Sequence, residues 1–387
     1  MSVIYLDNAA TSWPKPPCVE QAMSRFLAHD AGNPGRAGHR MAIACERMLD
    51  RLRVQLSRLF DAPDPQRVIF TLNTTDAINI ALKGVLRSGD HVVTTTLEHN
   101  SVSRPLQALA DAGTITLTRV PATDDGFIAP ADIAAAITPT TRLIACTHCS
   151  NVLGTIQPID AIGALARDRG LLLLVDAAQS AGVLPISMRQ MHIDLLAVAG
   201  HKSLLGPPGT GALLLSDRVD AAPWREGGTG GDSSHPVQPA EYPYRLEAGT
   251  PNTVGLAGWA AALEEIERIG PGNMLEHERK LAARFTDAFR GDDRVRLLGP
   301  DDPGRRTGIV VFTMESIAPQ ELAALLDESF GIAVRAGLHC APYIHRQLGT
   351  FPDGAVRVSP GPYNTVRDID LLIDAVRLIR DQSEFVS

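Results

Sequence analysis

Residues 171–202 read LLLLVDAAQSAGVLPISMRQMHIDLLAVAGHK. Two near-continuous apolar runs, Leu171–Asp176 and Leu195–Ala199, stand in this stretch. Runs of this kind mark strands covered on both faces, as in a parallel sheet held between helices. The pattern recurs upstream at Val68–Thr71, His91–Thr95, Ile115–Val120 and Leu143–Cys146, and downstream at Gly211–Leu215. Helical patterns lie between the runs. In Arg40–Phe60, for example, Met48, Leu52, Leu56 and Phe60 form one stripe at i, i+4 spacing. Strands alternating with helices predict a layered α/β domain.

The character of the chain changes after Pro223. Residues 226–252, which begin EGGTGGDSSHPVQP, read as a long ordered loop or a linker. A long helical stretch is expected from about Val254 to Arg290. It is followed by strands at Val295–Leu298 and Gly308–Met314, a helix near Pro319–Ser329, a strand near Ala355–Val358 and a closing helix from Arg367. The reading is a large domain over 15–252 and a smaller α+β domain over 253–387, joined by the N-terminal segment 1–14. The 387 residues suffice for two such cores.

Bulk properties narrow the function. Net charge is −8 with no long basic run, which argues against nucleic acid as a partner. The first residues, MSVIYLDNAATSWPKP, lack a basic segment followed by an apolar one, so no signal peptide is expected. The Leu171–Val175 run is far too short to span a bilayer. Five cysteines, at 18, 45, 146, 149 and 340, are a sparse, odd set that suits a reducing compartment. A cytoplasmic protein is the expectation, with no membrane partner.

Ligand sites in α/β sheets gather at the carboxyl ends of strands, and four informative segments fall there. Lys202 follows Leu195–Ala199 in a glycine-flanked turn. A partly desolvated lysine there favours the neutral amine that forms Schiff bases, although a solvated loop lysine fits the spacing too. Asp176 ends an aliphatic strand, where its carboxylate needs a cationic partner such as a protonated pyridine nitrogen, or else caps a following helix. Gln179, one turn on, can donate to a phenolic oxygen on the same ring, or be a surface residue. Asn73-Thr74-Thr75-Asp76 opens a helix and offers N–H groups, hydroxyls and a positive dipole end to a phosphate, or serves as a plain N-cap. His99, in Glu98-His99-Asn100, can stack on an aromatic cofactor and relay protons, or be a structural histidine.

The C-terminal third adds RAGLHCAPYIH, with Arg335, His339 and Cys340, and GAVRVSPGPYNT, with Arg357 at a strand end. A cysteine beside a histidine and near an arginine has surroundings that can favour thiolate, or is a buried inert cysteine. The arginine fork matches a carboxylate, or forms a surface ion pair. Cys146-x-x-Cys149 is read as packing rather than a zinc or redox motif, because no second pair supplies further ligands. No metal is expected.

Taken together, these segments resemble the class V aminotransferase family of fold-type I pyridoxal 5'-phosphate (PLP) enzymes. The resemblance is greatest to the Suf-type cysteine desulfurase and selenocysteine lyase group. It runs from YLDNAAT (5–11) through GNPGRAGHR, NTTDAIN, LEHNS, SNVLGT, VDAAQSAG, AGHKSLLGPPGTG, EAGTPNT and RAGLHCA to YNT (363–365). It implies the fold-type I PLP-dependent transferase architecture: a large domain with a mostly parallel seven-stranded sheet, plus a smaller α+β domain. By the resemblance, Lys202 carries PLP as a Schiff base, Asp176 pairs the pyridinium, Gln179 bonds the phenolic oxygen and His99 stacks on the ring. Thr75, with Thr74 nearby, and His201 hold the phosphate. Thr250 reaches the phosphate bound by the partner subunit of a homodimer. Asn151 and Arg357 hold the substrate carboxylate, and Cys340 attacks substrate sulfur. Many relatives carry a serine or threonine three residues before the lysine; Ala199 stands there and removes one phosphate donor.

The activity this implies is conversion of L-cysteine to L-alanine, with a persulfide on Cys340 passed to an acceptor protein or small thiol. Selenocysteine lyase is the nearest rival. Other class V reactions, transamination or epimerisation, need no cysteine in the Cys340 position. A non-catalytic sulfur-transfer partner would not keep Lys202, Asp176, Gln179 and His99 together.

Overall fold

The computed structural model describes residues 3–35, 38–230, 234 and 236–382. Positions 36–37 of the GNPGRAGHR motif, and 231–233 and 235 of the glycine-rich loop, lie outside the described residues.

A short strand β1 (Ile4–Tyr5) and helices α1 (Pro17–His29) and α2 (Arg40–Leu59) lead into the large sheet. Its strands are β2 (Val68–Thr71), β3 (Asp90–Thr95), β4 (Ile115–Val120), β5 (Thr141–Thr147), β6 (Leu172–Asp176), β7 (Leu195–Ala199) and β8 (Gly211–Leu215). They lie in the order β2-β8-β7-β6-β5-β3-β4, and all are parallel except β8, which runs antiparallel to both its neighbours. Helices α3 (Thr74–Val85), α4 (Asn100–Asp111), α5 (Pro130–Ala136) and α6 (Ile159–Asp168) connect the strands.

The unbroken apolar runs have a simple cause. Successive side chains of a strand point to opposite faces, and here both faces are dry. On β6, Leu173 and Val175 join one apolar cluster while Leu172 and Leu174 join the other. On β7, Leu196 and Val198 divide from Leu195 and Ala197 in the same way.

The second part of the chain comprises α7 (Thr253–Ile269), α8 (Pro271–Ala288), β9 (Val295–Leu298), β10 (Val310–Met314), α9 (Pro319–Phe330), β11 (Ile332–Ala333), β12 (Arg335–Gly337), α10 (Pro342–Gln347), β13 (Ala355–Val358) and α11 (Val366–Gln382). Strands β12-β13-β10-β9 form an antiparallel sheet. Phe285 packs against Phe289 and Phe312, with ring centroids 5.0 and 5.2 Å apart, in the core over this sheet. The long helical stretch expected from about Val254 to Arg290 is two helices, α7 and α8. Gly270 takes a φ of 87° and Pro271 follows at the first position of α8; proline has no N–H to continue the ladder and clashes with the preceding turn. Helix α7 packs on α1 and α2 and buries Trp259. At the other end of the chain, β1 pairs in parallel with β11, so the first residues are built into the C-terminal part.

All the parallel strands, and β2 with them, deliver their carboxyl ends to one edge of the large sheet. The turn after β7 is tightly packed there. A Cβ on Gly200 would overlap Thr210 Oγ1 and lie 3.0 Å from Trp259. Gly200→Ala is therefore expected to lower the unfolding free energy by about 1–3 kcal/mol through overpacking, read from the shift of the urea midpoint at unchanged slope.

Candidate active site

The edge of the sheet opens into a cavity of about 220 Å³, to which the ends of β2, β3, β5, β6 and β7 each bring a side chain. Lys202 enters from the turn after β7. That turn is closed by Gly200 N–H to Thr210 O at 2.9 Å, Leu205 N–H to Lys202 O at 2.8 Å and Gly206 N–H to Gly200 O at 2.7 Å. Burial pulls the Lys202 ammonium down to about 8, with Asp176 pulling the other way and Arg357 and Arg335 adding to the fall.

Asp176 ends β6 and is buried. Its Oδ1 accepts the Ala178 N–H at 2.9 Å, and the residues that follow form turns rather than a helix to be capped. Burial pushes its carboxyl up, while the Ala178 bond and Lys202 draw it down. Among the described residues, no side chain forms an ion pair with it. Gln179 is also buried, and its Nε2 donates to Ala9 O at 2.8 Å. One of its two N–H bonds thus holds the N-terminal segment, which the sequence reading did not foresee.

The first turn of α3 forms the far wall. Asn73 caps it through Oδ1, which accepts the Asp76 N–H at 2.9 Å. Thr74 Oγ1 is buried and without a hydrogen-bond partner, and Thr75 Oγ1 lies 2.7 Å from Ser101 Oγ. His99 is the N-cap of α4, its Nδ1 accepting the Ser101 N–H at 3.0 Å. The neutral ring therefore carries its proton on Nε2. Burial and the Lys202 charge push this imidazole down to about 4. Ser101 links the Thr75 wall to His99; its position two residues after a capping histidine was the available signal. Glu98 stays wholly buried beneath it, accepting from Thr95 Oγ1 at 2.7 Å and Thr147 N–H at 3.0 Å, and burial raises its carboxyl to about 8.

The opposite wall comes from the C-terminal part. Arg357 is buried on β13, where its Nη1 donates to Asn151 O and its Nη2 to Asp7 Oδ1, both at 2.8 Å. Asn151 Nδ2 donates to His339 O at 2.6 Å. Asp7 also lies 3.9 Å from Arg335 Nη1. The sequence reading passed over Asp7, although a carboxylate directly after an apolar strand was in plain view in YLDNAAT.

Cys340 is exposed at the cavity rim, and its carbonyl accepts the Asn100 N–H at 2.7 Å. It and His339 both take left-handed φ angles, 57° and 49°, which cost non-glycine residues energy and persist where surroundings fix them. His339 does not supply the cation expected beside the thiol. Its ring, near His345 Nε2 and Arg335 O, is pushed down to about 2 by burial and by Arg357, so the positive charge on this side belongs to Arg335 and Arg357.

The remaining expected residues separate. His201 lines the cavity, and burial and the charges of Lys202 and Lys15 push its ring down to about 4. Ala199 is buried against Gly211 and offers no hydroxyl. Thr250 is not in this cavity. It is exposed on another, of about 300 Å³, lined also by Asn33, Gly35, Arg53 and Glu247. Cys146 and Cys149 are buried, and burial raises the Cys149 thiol to about 12. No cluster among the described residues could hold a metal ion. Replacing Asp7 by Asn leaves the buried Arg357 charge without its carboxylate. That change is expected to lower stability by about 3 kcal/mol, measured by urea unfolding.

Residues 4–372 match the family model for aminotransferase class-V. A probable cysteine desulfurase of Methanothermobacter thermautotrophicus is 36% identical, over 95% of this chain and 92% of its own length. A cysteine desulfurase of Salmonella dublin is 31% identical, over 96% and 92%. Among solved structures, an apo cysteine desulfurase from Thermococcus onnurineus superposes with a TM-score of 0.93 at 32% identity, covering 98% of this chain and 95% of that one. The cysteine desulfurase CsdA from Escherichia coli does so with a TM-score of 0.87 at 30% identity, over 97% and 94%. With its mostly parallel sheet and its strand-end cavity, the chain belongs to the aminotransferase class-V family.

Proposed function

We propose that this protein is a PLP-dependent cysteine desulfurase. The observation that carries the reading is the placement of Lys202 and Asp176 in one desolvated cavity with Cys340 at its rim.

The cavity's vacant polar groups suit the cofactor. Among the described residues Thr74 Oγ1 is buried and unpartnered at the positive end of the α3 dipole, where a phosphate oxygen is favoured. Thr75 and His201 line the same cavity. Asp176 is a buried carboxyl that forms no ion pair among the described residues, with only the Lys202 charge drawing it down, and it suits a protonated ring nitrogen. Gln179 keeps one N–H for the phenolic oxygen, and the His99 ring forms the face on which the cofactor stacks. When bound, PLP serves as the sink for electrons released at the substrate's α-carbon.

The chain's own residues supply the rest. Lys202, with its ammonium drawn down to about 8, is the group that attaches the cofactor and then moves the α-proton as general base. Arg357 and Asn151 receive the substrate carboxylate, with Asp7 holding the guanidinium in place. Cys340 Sγ attacks the substrate sulfur; a sulfur–sulfur bond forms as the carbon–sulfur bond breaks, leaving alanine and a persulfide on Cys340. An acceptor protein or small thiol then takes the sulfur. The left-handed backbone at 339–340, anchored by the Asn100 N–H, sets this side chain at the solvent edge where an acceptor can reach it. Thr250 lies on its separate exposed cavity, and a homodimer in which it reaches the phosphate bound by the partner subunit accounts for that placement.

Purified protein is expected to show a visible absorption band that borohydride shifts, and Lys202→Ala to be colourless; a Lys202→Ala protein with an unchanged band overturns the assignment. Cys340→Ala is expected to keep the band but lose sulfide release from cysteine by at least about a hundredfold, as for removal of a nucleophile. Product analysis with cysteine and selenocysteine in parallel checks this. A wild type that prefers selenocysteine, with that activity kept in Cys340→Ala, would move the reading to selenocysteine lyase.

A further inference from the structure

The N-terminal segment touches several parts of the cavity. Asp7 holds Arg357, and the Ala9 carbonyl takes Gln179. Residues 11–15 then close on a single atom, the carbonyl oxygen of His201, the residue immediately before Lys202. That oxygen accepts from Lys15 Nζ at 2.7 Å, Thr11 Oγ1 at 3.0 Å and the Ser12 N–H at 3.1 Å, and Ser12 Oγ lies 3.3 Å away. Lys15 Nζ also donates to Ser12 Oγ at 2.7 Å.

A carbonyl oxygen has two lone pairs, so this gathering of donors is more than it needs for satisfaction. One of them is an ammonium, and charge-assisted hydrogen bonds are the stronger kind. The arrangement has an electrostatic cost, because burial pulls the Lys15 ammonium down to about 8. A tether on the surface would avoid it. Of the 36 basic residues only four are lysines, at 15, 83, 202 and 280. Lys83 sits over the Trp224 ring, and Lys280 pairs with Glu276 in solvent. Lys15 and Lys202 are the two that the fold desolvates. The turn after β7 is closed by the Gly200, Leu205 and Gly206 bonds, and Lys15 adds its own bond to the His201 carbonyl of the same turn.

We infer that Lys15 is a positioning residue: its ammonium grips the His201 carbonyl and holds the peptide that aims Lys202 into the cavity. The inference rests on the reading of Lys202 as the cofactor's attachment point. Lys15 acts through His201, at one peptide's remove from the reacting amine.

Lys15→Met keeps the length of the side chain and removes its donors, while Lys15→Arg keeps a charged donor. In the holoenzyme, Lys15→Met is expected to lower kcat for cysteine about tenfold with KM within about twofold, and Lys15→Arg to recover most of the loss. A second readout does not depend on turnover. Trace acetylation of the cofactor-free full chain, resolved peptide by peptide, follows all four lysines from neutral to alkaline pH. In the wild type, Lys202 is expected to titrate well below the ordinary lysine value, at about 8, and in Lys15→Met to climb back toward that ordinary value as the loosened turn lets the amine reach water. If Lys15→Met does not fold, Thr11→Val removes a neutral donor from the same oxygen and should give a smaller shift in the same direction. A folded Lys15→Met with unchanged kcat and unchanged Lys202 titration overturns the inference and leaves the role of Lys202 intact. A wild-type Lys202 that titrates at the ordinary lysine value overturns the reading of Lys202 itself.

Discussion

Opposite charges held out of water at the ends of two neighbouring strands are what the rest of this site is arranged around. Strands β6 and β7 pair in parallel, with Asp176 opposite Ala197, so the carboxylate and the turn carrying Lys202 emerge side by side. Each charge alone would be expensive in a dry space. Together they moderate one another, and neither is fully neutralised: burial still raises the carboxyl and still lowers the ammonium. The dryness comes from the sheet. Leucines, valines and alanines alternate between two apolar layers along both strands, and helices seal both faces.

The second dependence is between the ends of the chain. Strand β1 pairs with β11, the Asp7 carboxylate binds Arg357, and Asn8 Nδ2 and Ala9 N–H both bond to Ser359. The residues that follow lie against the Lys202 turn. Arg357 and Lys202 thus belong to different layers of the protein, with one short segment between them.

Much of this was legible in the sequence because strand ends announce themselves. Val68–Thr71, Ile115–Val120, Leu195–Ala199 and Gly211–Leu215 are observed with the expected limits, since turn residues bound each apolar run. Lys202, Asp176, Thr74, Thr75, His99, Asn151, Arg357 and Cys340 all line the same cavity. What was missed depends on long-range geometry. The break at Gly270–Pro271 was written locally and could have been read. Asp7 and Lys15 could not be assigned partners, because Arg357 and the His201 carbonyl lie 350 and 186 positions away. The neutral state of His339 was equally hidden: a histidine beside a cysteine suggests a cation, and only the surrounding burial and the arginines overrule it.

The placement of the four lysines has a chemical consequence. An aldehyde entering this protein meets very few side-chain amines able to condense with it, since the other 32 basic residues are guanidinium groups that stay protonated. Four lysines among 36 basic residues leave the molecule poor in decoy sites for such an adduct, and Lys15, the other amine that burial draws down to about 8, is engaged by the His201 carbonyl.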